Sequence, residues 1–161
     1  MKKILTLFAI FCVVISFIST SVAQNSYPIN TAGNTFSPSS LTINIGDTIH
    51  FILGGNHNAV EVSQSTYNQG GNNPLNGGFS FGFGADTIFI PTATGNYYYV
   101  CTTHAANGMV GRFTVNNIPG CTDPLACNYD PLATTDDGSC AYPTSSTSNE
   151  TECDSYTWPV N

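Results

Sequence analysis

Nine residues, "CTTHAANGM" at 101–109, place a thiol, an imidazole and a thioether on a stretch of small side chains. The whole chain has only three His and two Met, and Met1 is one of the latter. A further imidazole, His57, stands upstream in "GNHNAVEV". One thiolate, two imidazoles and a weak thioether suit a metal that cycles between Cu(I) and Cu(II), and the soft sulfur donors favour copper. Each residue alone has an ordinary reading. Cys101 is a buried thiol, since buried Cys behaves as a small hydrophobe; Met109 fills core; His57 occupies a turn. Their joint spacing outweighs those readings and makes His57, Cys101, His104 and Met109 the candidate ligands of one copper. Structural zinc draws on Cys, His and carboxylates, so Met109 argues for copper. His50, inside "TIHFIL", lacks such neighbours and reads as structural.

Four protein ligands fill the metal and leave no open position of the kind catalytic metals keep. Clusters of several coppers would need more His than the chain has. A Cys101–His104 nucleophile would need a third, orienting group that the sequence does not supply. The site therefore reads as non-enzymatic.

The elements that must position these residues read as β structure over 27–116. In "SLTINIGDTIHFIL", Leu41, Ile43 and Ile45 share a face, Gly46-Asp47 turns, and the pattern resumes from Ile49 to Leu53. "TIFIP", "NYYYVCT" and "GRFTV" are further β-rich runs. Tyr97, Tyr99 and Cys101 lie on one face by the period of two. Short strands at regular spacing without a long helical period predict an all-β Greek-key sandwich. The Gly- and Asn-rich interval from about 63 to 84 reads as a long loop with room for a short helix or an extra strand.

Met1-Lys2-Lys3, an apolar run from Ile4 to about Ile18, and the small-residue exit Ser21-Val22-Ala23 predict a signal peptide over 1–23. The run is short for a bilayer span of ~20 residues, and no later segment is long and apolar enough, so no membrane span is expected after cleavage. Beyond residue 23 the chain is strongly acidic: Arg112 stands alone against ten Asp and Glu, a net of about −9. That balance excludes nucleic acid, whose phosphates need basic contacts. The expected location is secreted or at the cell surface. Of six cysteines, Cys12 leaves with the signal, and the remaining odd number singles out Cys101.

Past Ile118-Pro119 the composition shifts. "GCTDPLACNYDPLATTDDGSC" has few large apolar groups and would need staples. Cys121, Cys127, Cys140 and Cys153 allow three pairings; a Cys121–Cys140 link would close a loop of about 20 residues, worth ~3 kcal/mol. Asp123, Asp130, Asp136 and Asp137 offer oxygens to calcium, although their spacing is not that of the EF-hand loop, and a disulfide-stapled spacer with solvated acids is the favoured reading. The expected organisation is a copper domain over 24–118, a Cys/Asp-rich acidic module over 119–142, and a linker with an incomplete segment over 143–161, where "TECDSYTWPVN" reads as a domain that stops early.

C-x2-H-x4-M after "GNYYYV" and before "VGRFTV" resembles the copper loop of plastocyanin-type cupredoxins. "NHNAV" is similar to that family's upstream His-Asn segment, and "NTFSPSSLTINIGDTIHF" resembles its opening strands. The resemblance spans about residues 30–117. It implies one type 1 (blue) copper with His57, Cys101 and His104 as equatorial ligands and Met109 as the axial one. It also implies that Asn58 ties the two ligand loops together, its backbone N–H directed at the Cys101 sulfur. Two positions depart from the family: Thr103 replaces the usual Pro before the second His, and Val100 replaces an aromatic found in many plastocyanins. The 120–140 stretch resembles a short repeat of secreted bacterial multidomain proteins.

The expected function is single-electron transfer by an outer-sphere route, with a redox partner docking on an apolar surface around His104 formed by Ala105, Ala106, Gly108 and Val110. The competing expectation is a cell-surface adhesive module in which copper is incidental.

Overall fold

The computed structural model describes residues 25–142. The signal over 1–23, Cys153 and the segment 143–161 lie outside the described residues. In chain order the elements are β1 (Ser26–Ala32), β2 (Thr35–Ser37), β3 (Ser40–Asn44), β4 (Thr48–Ile52), β5 (Ala59–Val62), α1 (Gln64–Asn68), β6 (Ser80–Phe81), β7 (Asp86–Phe89), β8 (Gly95–Val100), β9 (Val110–Asn116), β10 (Pro119–Gly120) and β11 (Thr135–Asp136). A 3-10 turn, Ala105–Asn107, separates β8 from β9.

Two sheets face each other, one ordered β2-β1-β4-β7 and the other β3-β9-β8-β5-β6. The pairs β1/β4 and β3/β9 are parallel, while β8 pairs antiparallel with both β5 and β9. The chain is thus the expected all-β sandwich of two sheets, with a small disulfide-stapled irregular module after it.

The turn at Gly46-Asp47 does not fold a hairpin: β3 and β4 belong to opposite sheets. Gly46 takes φ 95°, a conformation open to glycine. The buried Asp47 carboxylate accepts the Asn25 N–H at 3.0 Å and the Asn44 N–H at 2.9 Å, fixing the crossover. A buried carboxylate persists because those donors replace its water.

Strand alternation builds the core as the sequence pattern requires. Ile49 and Phe51 of β4 and Phe113 and Val115 of β9 turn inward, together with Ile29, Phe36, Ile43 and Tyr99. Tyr99 sits edge-on to Phe36 and Phe51, at 4.8 and 5.4 Å between centroids. It also lies directly across from Gly111 of β9. A Cβ at 111 would fall 2.2 Å from the Tyr99 ring, so only glycine admits the ring there.

Alternation breaks at β5 and β8, where consecutive residues are buried. The reason is α1 in the long loop, capped by the Ser63 side chain. Tyr67 lies 5.0 Å from Tyr98, closing a second cluster of Val62, Val100 and Ala105. The loop holds both a short helix, α1, and a short strand, β6, where the sequence left room for one or the other. Glu61 pins its return by accepting the Phe79 N–H at 3.1 Å, and burial pushes that carboxyl up.

Candidate metal centre

Cys101 and Met109 sit where β8 and β9 meet the loop between them, His57 lies just before β5, and His104 stands within the loop at the start of the 3-10 turn. Cys101 follows β8 directly, and its N–H donates to the Met109 carbonyl at 3.1 Å. Between them the chain closes on itself: the His104 N–H donates to the Cys101 carbonyl and the Met109 N–H to the His104 carbonyl, at 3.0 and 3.1 Å. Gly108, at φ 86°, makes the return possible. His57 precedes β5, and its carbonyl accepts the Gly84 N–H at 3.0 Å. Thr31 Oγ1 accepts the Gly54 N–H at 2.8 Å and anchors the same turn.

These loops bring His57, Cys101 and His104 together, their donor atoms all within 4.8 Å of one another. Cys101 Sγ is 3.8 Å from His57 Nδ1 and 3.4 Å from His104 Nδ1. Bonds of about 2.0–2.3 Å in a trigonal plane would hold such donors ~3.6 Å apart, so the cluster fits one metal ion. The imidazole centroids are 5.0 Å apart. Cys101 and Met109 are both fully buried, in one core cluster, which keeps water from that side. Among the described residues this is the one His/Cys/Asp/Glu group able to hold a metal, and Cys101 is the one free thiol.

Asn58 ties the loops through its side chain. Its Oδ1 accepts the Thr102 N–H at 2.8 Å, and its Nδ2 donates to Thr102 Oγ1 at 3.0 Å. Polar neighbours of Sγ include His57, His104 and the Thr103 hydroxyl, the last at 3.4 Å. Thr103 Oγ1 is also 3.1 Å from His104 Nδ1. Thr102 has a second holder in Asn72, whose Nδ2 donates to its carbonyl at 2.9 Å. Neither Thr102, Thr103 nor Asn72 stands out in sequence, because each is an ordinary polar residue. Thr103 shows only as a departure from the resembled pattern.

The surface differs from expectation. Ala105 turns inward against Val62 and Val100, because α1 and β5 need a lid at that end. Ala106, Asn107 and Gly108 are exposed beside the half-buried His104. Phe83, 54% exposed, adjoins Gly84 on the His57 side and supplies apolar surface that the sequence did not mark. His50 takes the structural role expected, paired with Asp86 across β4 and β7.

The tail aspartates do not converge. Asp123, Asp130, Asp136 and Asp137 each accept an N–H two residues ahead, at 2.9–3.0 Å. Each carboxylate thus mimics a backbone turn, and none joins a metal-holding group. Hydrogen bonds from Leu125 and Tyr142 hold Asp123 below the usual carboxylate range. Cys121 and Cys140 are disulfide-linked, with Cα atoms 4.8 Å apart. Cys127 is also disulfide-bonded.

The sequence model of a family described as copper binding proteins, plastocyanin/azurin family, matches residues 23–116. Plastocyanin of Synechococcus sp. (strain JA-2-3B'a(2-13)) is 28% identical over 115 residues, covering 63% of this chain and 82% of that protein. A solved pseudoazurin from Sinorhizobium meliltoi aligns at TM-score 0.46 and 21% identity, covering 58% of this chain and 75% of that one. A separate 31-residue match, 64% identical, is to ribulose bisphosphate carboxylase/oxygenase activase 1, chloroplastic, of Larrea tridentata; it spans 17% of this chain and 6% of that protein.

Proposed function

The chain belongs to the plastocyanin/azurin family of copper-binding proteins, and from that premise we propose that it carries single electrons by outer-sphere transfer. In this reading His57 Nδ1, Cys101 Sγ and His104 Nδ1 would hold the copper, with Met109 as the fourth, weaker ligand. The observation that carries it is the convergence of donors from segments 44 residues apart, with Sγ 3.4–3.8 Å from both imidazole nitrogens.

Bound copper supplies a one-electron couple between Cu(I) and Cu(II). The chain supplies a fixed set of donors. Strands β5, β8 and β9 and the Asn58–Thr102 bonds hold the ligand loops in place, so that little need move when the charge changes. Buried Cys101 and Met109 exclude water from the inner side. His104, half-exposed beside Ala106 and Gly108, offers its ring edge to a redox partner, with Phe83 extending the apolar surface. Electron-transfer contacts of this kind are small.

The same reading makes the protein secreted or surface-exposed, divided into a copper domain over 24–118, an acidic stapled module over 119–142 and a further segment over 143–161. The Cys121–Cys140 disulfide supports an oxidising compartment.

Adding Cu(II) to the metal-free protein tests it. An intense visible thiolate-to-copper band and a reversible one-electron couple are expected, with the band absent in C101S. A protein that takes up no copper would instead favour the adhesive module.

A further inference from the structure

The Thr103 hydroxyl stands 3.4 Å from Cys101 Sγ and 3.1 Å from His104 Nδ1. These groups can form a relay in the metal-free chain: the S–H donates to Oγ1, and the hydroxyl donates to the imidazole nitrogen. Metal binding removes both outer partners from their roles. The thiol would release its proton to solvent, and Nδ1 would give its lone pair to the metal and accept nothing more. Of the two neighbours, only the sulfur then retains lone pairs toward the hydroxyl.

We propose that in the copper-loaded protein Thr103 donates its hydroxyl proton to the Cys101 sulfur and thereby favours the reduced over the oxidised metal. This rests on the blue-copper reading above. A hydrogen bond draws electron density from the thiolate and weakens its donation, which costs the more highly charged Cu(II) more than Cu(I); hydrogen bonding around this sulfur is a known lever on potential. The hydroxyl is a side-chain polar contact of the sulfur beside its two imidazoles. Proline, the residue the resembled pattern places here, could not supply a hydroxyl. Thr103 acts through Cys101, as a tuning residue on the exposed rim of the site.

The test compares T103V, which keeps the shape and removes the hydroxyl, with T103S, which retains it. In the full copper-loaded chain, T103V should shift the Cu(I)-to-Cu(II) affinity ratio toward Cu(II) by about three- to tenfold. Tenfold corresponds to ~59 mV for a one-electron couple. The Cu–S stretching frequency should rise, and its shift on transfer to D2O should shrink. T103S should keep the wild-type potential and isotope shift. In the metal-free protein the Cys101 S–H infrared band should move in T103V alone. A blue T103V protein with wild-type potential and isotope shift overturns the proposal, as does T103S behaving like T103V. Failure of the unsubstituted protein to bind copper sinks the electron-carrier reading itself, which is a different result.

Discussion

Asn58 shows how much of the site depends on one amide that never reaches the metal cluster. It is 7% exposed, and its side chain spans the 44 residues to Thr102 with a bond to the backbone and another to the hydroxyl. N58A removes the acceptor of the Thr102 N–H and leaves that group partly buried without a partner, at a cost of about 1–3 kcal/mol. The metal-free protein should melt lower by the corresponding amount, and copper binding should weaken as the two loops separate. An unchanged melting temperature in N58A would show that water replaces the amide without loss. At this scale the sequence is legible where residue type is rare. Cys101, His104 and Met109 stand out because soft donors are scarce in the chain, and His57 because Asn58 follows it. Thr102, Thr103 and Asn72 are illegible because their significance lies in partners that only folding brings near.

The strands were readable from their period, yet the sheet each joins was not. "SLTINIGDTIHFIL" looks the same whether Gly46-Asp47 folds a hairpin or passes the chain between sheets; what decides is pairing with β9 and β1, far away in sequence. The double-sided burial of β5 and β8 was hidden for a related reason, since α1 is only five residues long and leaves no periodic signature. β8 is the element on which the copper loop hangs, and its contact with β9 at Tyr99 and Gly111 has no slack. G111A should therefore cost about 1–3 kcal/mol or more by overpacking, read as a lower denaturant midpoint with unchanged slope. Pairing it with Y99L should recover much of the loss, because the smaller side chain vacates the space the methyl needs. Full additivity of the two substitutions would mean that the strain is relieved by backbone movement instead. The Tyr99 hydroxyl is buried without a hydrogen-bond partner among the described residues, a cost that the ring's aromatic contacts offset.

At the scale of the whole molecule, the acidic module and the sandwich meet at a composition change that the hydrogen bonds repeat. Ile118 accepts from Thr134 and Thr135, Cys121 from Asp130, and Ala141 from Cys127. Among the described residues, the hydrogen bonds of 117–142 stay within that stretch. Its few apolar side chains include Leu125, 81% exposed, so it has little core to share and depends on its staples. The cysteine count separated Cys101 from the rest because an odd thiol in an oxidising compartment needs another use. The Asp spacing was ambiguous, because turn-forming and cation-binding carboxylates look alike until their N–H partners are placed. Replacing Cys121 and Cys140 together with Ala removes a cross-link worth ~3 kcal/mol to the module by the chain-entropy model. Cleavage by a protease within 117–142 should accelerate, while the copper band and the melting of the sandwich stay at their original values, because no hydrogen bond of the module supports the ligand loops. Loss of colour in that double variant, or one cooperative transition lowered as a whole, would mean that the two parts fold as a unit. The module would then belong to the machinery that holds the metal.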